Sequence, residues 1–139
     1  MNAIKHFLFI EAPANKIYQA LTTPEGISGW WTSQNKIGEK VGDSNIFDFG
    51  NRYHNEMKII QLEPDKKVEW ACLVGDKEWV GTKILFKIEE YDGSTALRFS
   101  HSYWQYETDF FASCNYQWGY YLMSLKLYCE TGKGMPFKE

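Results

Sequence analysis

Breaker pairs at Gly50-Asn51, Pro64-Asp65, Gly75-Asp76 and Asp92-Gly93 cut the middle of this chain into short runs, and that regular punctuation leaves few folds open. Between them, apolar and polar residues alternate with period two over about Asn45 to Phe49, Tyr53 to Leu62, Val68 to Val74, Trp79 to Glu89 and Thr95 to Tyr103. Such alternation with turn residues at each end predicts the strands of an antiparallel meander.

Helical signals bracket the meander. Ile4 to Ala12 is apolar and β-favouring, and Pro13 follows where a first helical position accepts it, because proline lacks only an amide that a helix start leaves unpaired. Ile17, Ala20 and Leu21 then fall at helical spacing, and Thr23-Pro24 supplies an N-cap and first residue for a second short helix running to about Trp30. At the other end Phe111, Cys114, Trp118, Leu122, Leu125 and Cys129 recur at steps of three and four, one stripe of a long amphipathic helix from about Asp109 to Glu130, closed by Gly132 and Gly134. A helix of that length spans roughly 33 Å, enough to cross a curved sheet.

Alternation also assigns faces. Val80, Thr82, Ile84, Phe86 and Ile88 oppose Gly81, Lys83, Leu85, Lys87 and Glu89; Leu97, Phe99, His101 and Tyr103 share the next inward face. His101 therefore sits among apolar neighbours. It reads first as a neutral core histidine bonded to a backbone carbonyl or a Tyr hydroxyl, and second as a polar anchor for a ligand or a general base. Glu56, Glu69 and Glu107 are the carboxylates of the right type to orient a base, each expected on a wet strand face or loop.

Composition removes several function classes. Fifteen cations against eighteen carboxylates give a net charge of −3, arginine occurs only at Arg52 and Arg98, and the densest basic run is Lys66-Lys67, which disfavours nucleic acid. Cys72, Cys114 and Cys129 form no C-x-x-C pair and are expected as free buried thiols in a reducing cytoplasm. His6 and His54 have no metal-binding spacing, and Ser100, Ser102, Ser113 and Ser124 lack the glycines of a nucleophile elbow, so no metal, cofactor or catalytic residue is assigned. Phe7 to Ile10 is too short for a secretory core or a membrane span. With no repeat or linker, residues 1–139 read as one domain. Aromatic residues make up 17% of the chain, a density that fills a large core or lines an apolar site.

The element order, together with Ala12-Pro13-Ala14-Asn15-Lys16-Ile17-Tyr18 through Thr23-Pro24-Glu25, Trp30-Trp31, Glu63-Pro64, Val68-Glu69-Trp70, Gly81-Thr82, Thr95-Ala96-Leu97 and Trp118 with Leu122, resembles the activator of heat shock protein 90 ATPase homologue-like family. That family lies within the SRPBCC, or START-like (Bet v-like), helix-grip superfamily. The resemblance implies an α+β fold: a curved antiparallel sheet of about six or seven strands wrapped around the long C-terminal helix, with two short helices after the first strand. It also implies an apolar cavity between sheet and helix. Strand parity and the helix stripe select Trp30, Trp31, Phe47, Phe49, Met57, Ile59, Trp70, Thr82, Phe86, Phe99, His101, Trp118 and Leu122 to line it; the alternative is a core these rings fill. Trp30-Trp31 reads as one core ring and one exposed ring, or as a rim at the cavity mouth, and Tyr103-Trp104-Gln105-Tyr106 as part of an entrance or a protein interface.

The expected function is binding of a small apolar or aromatic molecule. The alternatives are an enzyme resembling the polyketide cyclases or hydrolases of the superfamily, and a module that regulates a chaperone, binds another protein or forms a homodimer. The family's two-domain chaperone activators carry a separate first domain that this sequence does not contain.

Overall fold

In a computed structural model, which describes residues 1–138, the first strand runs Asn2–Ile10 (β1), followed by helices Ala14–Thr22 (α1) and Pro24–Trp30 (α2). Six more strands follow, Gln34–Lys36 (β2), Ser44–Phe49 (β3), Tyr53–Glu63 (β4), Lys67–Val74 (β5), Lys83–Tyr91 (β6) and Ser94–Trp104 (β7), and then the helix Asp109–Thr131 (α3). The strands form one antiparallel sheet in the order β1-β7-β6-β5-β4-β3-β2, so the N-terminal strand pairs with the last strand of the meander. α3 packs on the concave side of this sheet. The result is the helix-grip fold.

Local chemistry sets the ends of the helices. Thr23 caps α2 by accepting the Gly26 amide at 3.0 Å, with Pro24 at the first helical position. Thr108 caps α3 through the Phe111 amide at 3.2 Å, and Gly132 closes it in a left-handed conformation (φ 84°) with its amide on the Tyr128 carbonyl. Pro13 is the N-cap of α1 rather than its first residue, and the Glu90 carboxylate accepts the Ala14 amide at 2.6 Å.

The predicted strand from Trp79 begins only at Lys83. Asp76 diverts the chain: its carbonyl accepts the Trp79 and Val80 amides, its carboxylate accepts the Glu78 amide, and Gly81 turns with φ 90°. Val80 is consequently half-exposed instead of facing inward with Thr82. β2 went unpredicted because its three polar residues carry no apolar alternation and are held by backbone pairing to β3. Trp30 and Trp31 are both buried, which corrects the expectation of one exposed ring. They stack at 5.6 Å, and Trp31 stacks again on Trp70 at 6.1 Å, because α2 drops both rings into the hollow between sheet and α3.

Candidate functional site

Core rings occupy the centre of the grip. Trp70, Phe86 and Phe99 run across the sheet, Leu122 and Leu125 meet them from α3, and Trp118 approaches Phe99 to 4.5 Å. A cavity of about 300 Å³ remains at one end, between β3–β4, the 76–82 loop and the first half of α3. This is at the lower end of common ligand-site volumes. Trp31, Phe49, Trp79, Phe110, Trp118, Tyr121 and Phe137 supply most of its aromatic wall. The polar lining comes from Arg52, Asn55, Asp76, Ser113 and Gln117, with Tyr53 and Cys114 completing it. Phe137 is held in place where its amide bonds the Trp31 carbonyl at 2.8 Å.

A buried polar chain runs behind the wall, from the Trp118 indole to the Trp79 backbone. The Trp118 indole donates to His101 Nδ1 at 3.1 Å, so the proton of the neutral ring is on Nε2, which donates to Thr82 Oγ1 at 2.8 Å. The Thr82 hydroxyl then donates to the Trp79 carbonyl at 2.6 Å. Burial pushes the His101 pKa down to about 3, keeping the ring in the neutral form this chain requires. The Trp79 indole donates to Cys114 Sγ at 3.3 Å, and burial pushes the Cys114 thiol up to about 11. Cys72 and Cys129 are likewise free, buried and raised, to about 11 and about 12.

The sequence-selected lining residues divide among four places. Trp31, Phe49 and Trp118 line the cavity. Ile59 and Trp70 border a second, smaller cavity of about 200 Å³ beneath α1. Trp30, Phe47, Met57, Phe86, Phe99 and Leu122 pack in the apolar core, while Thr82 and His101 form the buried chain behind the wall. His101 has a partner on each ring nitrogen, an indole and a threonine hydroxyl, where a carbonyl or Tyr hydroxyl was expected. Trp104 is buried against Trp79 and His101, whereas Tyr103 and Tyr106 are exposed.

Asn55 escaped sequence selection, although the parity of Met57 and Ile59, carried two residues back, places it on the same inward face. Arg52, Asp76, Trp79 and Phe137 come from turns and the C-terminal segment, where period-two reasoning has no purchase. Of the candidate orienting carboxylates, Glu56 holds His54 at 2.8 Å on the outer side of β4, away from His101. Among the described residues no three His, Cys, Asp or Glu side chains form a group able to hold a metal ion, and no helix is long and apolar enough to cross a membrane.

Residues 11–130 match the family described as activator of Hsp90 ATPase homolog 1-like protein. The chain belongs to this family. Among solved structures of similar shape, the Aha1 dimer from Colwellia psychrerythraea, determined in solution, is 40% identical over 96% of this chain and 100% of its own, with a TM-score of 0.88. Two more distant structures share the helix-grip fold of this family member. SSP2350 from Staphylococcus saprophyticus is 18% identical, covering 96% of each chain, with a TM-score of 0.80. CalU16 from Micromonospora echinospora is 18% identical, covering 91% of this chain and 73% of its own, with a TM-score of 0.73. No curated protein matches the chain.

Proposed function

We propose that this family member binds a small, largely aromatic molecule in the cavity between β3–β4 and α3, acting as a single unit over residues 1–139. The observation that carries this reading is an aromatic-walled space of about 300 Å³ in which the His101 chain holds the Trp118 indole and the Trp79 backbone from behind, and Cys114 accepts the Trp79 indole N–H. Pre-set walls reduce the ordering cost of binding, and burial of apolar area supplies the affinity. A Cys114 thiol held protonated supports reversible binding over covalent chemistry. Three free buried thiols suit a reducing compartment, and we place the protein in the cytoplasm.

Native mass spectrometry of freshly purified protein, with extraction of co-purifying molecules, tests the reading. A bound species of small-molecule mass is expected, and adding it back to stripped protein should shift the amide NMR signals around Trp31, Asn55 and Trp118. If such a species binds without shifting those signals, the cavity is not its site.

A second reading concerns self-association. The outer side of α3 carries Tyr116, Tyr120 and Met123 at 77%, 46% and 49% exposure, and Leu127 continues the 4-3-4 spacing of a helix–helix seam. No charged residue occurs from Phe110 to Leu125. In a two-fold contact each side chain meets copies of its own neighbours, so an uncharged face is one that two copies can share without like-charge repulsion. The relative that is 40% identical is a dimer, and this face is proposed as the equivalent contact here. Sedimentation across a concentration series should show a dimer that the double variant Tyr120→Lys/Met123→Lys weakens by about a hundredfold. A monomer at every concentration, or a dimer indifferent to the variant, rejects this interface.

A further inference from the structure

We propose that Asn55 is the polar anchor of the cavity and that the ligand pairs its aromatic body with a neutral donor–acceptor group: a carboxamide, a lactam or an un-ionised carboxylic acid. This rests on the ligand-binding reading above and specifies its chemistry.

Asn55 is 3% exposed and opens the inward series Asn55, Met57 and Ile59 of β4, opposite Phe47 of β3. Its side chain lines the cavity, and among the described residues the amide forms no hydrogen bond with another protein group. A carboxamide offers two donors and an acceptor oxygen, and these atoms open onto the cavity instead of being sealed without partners in the core. The surroundings preserve this exposure to the cavity. A Cβ on Gly75 would stand 2.7 Å from Asn55 Oδ1, so glycine at that turn keeps the amide unobstructed. The β4–β5 ladder shifts register between Glu56 and Met57, beside the same residue, a device that commonly re-aims a side chain next to a site.

The remaining lining narrows the ligand. The Trp79 and Trp118 indole N–H groups are committed to Cys114 and His101, so these walls offer ring surface instead of donors. Arg52 and Asp76 place opposite charges on the lining, which gives no preference for a net-charged ligand. Among the described residues that leaves the Asn55 amide and the Trp31 indole N–H as the buried lining groups without a protein partner; the indole can only donate, so the amide alone combines donors with an acceptor, and its complement is another amide-like pair.

Calorimetric titration with 2-naphthamide, 2-acetylnaphthalene and 2-ethylnaphthalene tests the assignment, since these probes share one ring system and differ in donors and acceptors. Wild-type protein should bind the amide about ten- to a hundredfold more tightly than the hydrocarbon, with the ketone between them. Asn55→Leu should bring the three affinities within about threefold of one another while retaining hydrocarbon binding. Its melting temperature should hold or rise, because no protein hydrogen bond is lost; a fall of several degrees would reveal a structural role and overturn the proposal. Equal binding of all probes by wild type, or a preference that survives in Asn55→Leu, overturns the anchor while leaving the cavity reading intact. Failure of both proteins to bind any probe rejects the cavity reading, and the anchor with it.

Discussion

His101 and His54 carry the same ring into opposite environments. Burial lowers His101 to about 3, whereas on the outer side of the sheet hydrogen bonds to Glu56 and then Asp48 raise His54 above its ordinary value. For His101 the unfolded chain binds a proton below about pH 6.5 that the folded chain refuses, so its contribution to stability is complete above that pH and lost as pH falls toward 3. About 2 kcal/mol should disappear between pH 7.5 and pH 5. Urea unfolding of wild type and His101→Gln at both pH values isolates this amount, and an equal pH dependence in the two proteins would contradict it. The apolar surroundings of His101 were legible from strand alternation alone. Its partners were not, because Thr82 precedes β6 after a turn and Trp118 reaches it across the grip from α3. Asn55 was missed for a simpler reason: a selection weighted toward large apolar residues stopped at Met57, although the strand's parity continues past it.

At the scale of elements, the β3–β4 hairpin carries a cross-strand clamp. Asp48 and His54 face each other in register, and His54 bonds both Asp48 and Glu56. A raised folded pKa stabilises the hairpin fully below about pH 6.5, and this contribution fades as pH rises through the folded value. An NMR titration should therefore place the His54 midpoint above 6.5, returning to the ordinary range in Asp48→Asn/Glu56→Gln; a wild-type midpoint at or below 6.5 would remove the clamp. Element boundaries were readable wherever a breaker pair ended a run, as at Gly50-Asn51 and Asp92-Gly93. They were misread at Trp79-Val80, where apolar residues lie in a turn fixed by Asp76, a side-chain and carbonyl effect that periodicity does not register. α3 was located correctly, but its inner stripe drew attention from the outer one at Tyr116, Tyr120 and Met123.

For the whole molecule, the sheet order and the grip follow from local choices that agree: alternating runs, paired breakers, capped helices and one long apolar stripe. The cavity lay beyond that reasoning. Its volume is set by where the 76–82 loop and the Phe137 segment come to rest and by which rings interlock, quantities that depend on tertiary contacts more than on pattern. The interlocking has an optical consequence. Trp31 lies within 8° of parallel to both Trp30 and Trp70 and 5.2 Å from Trp118, which stacks on Trp79, itself 6.5 Å from Trp104. All six indoles thus form one connected array. Excitation absorbed by any of them is shared through the array, and three of its members face the cavity. A quenching molecule seated against that wall dims the emission of the whole set, so the protein reports its own occupancy without a label.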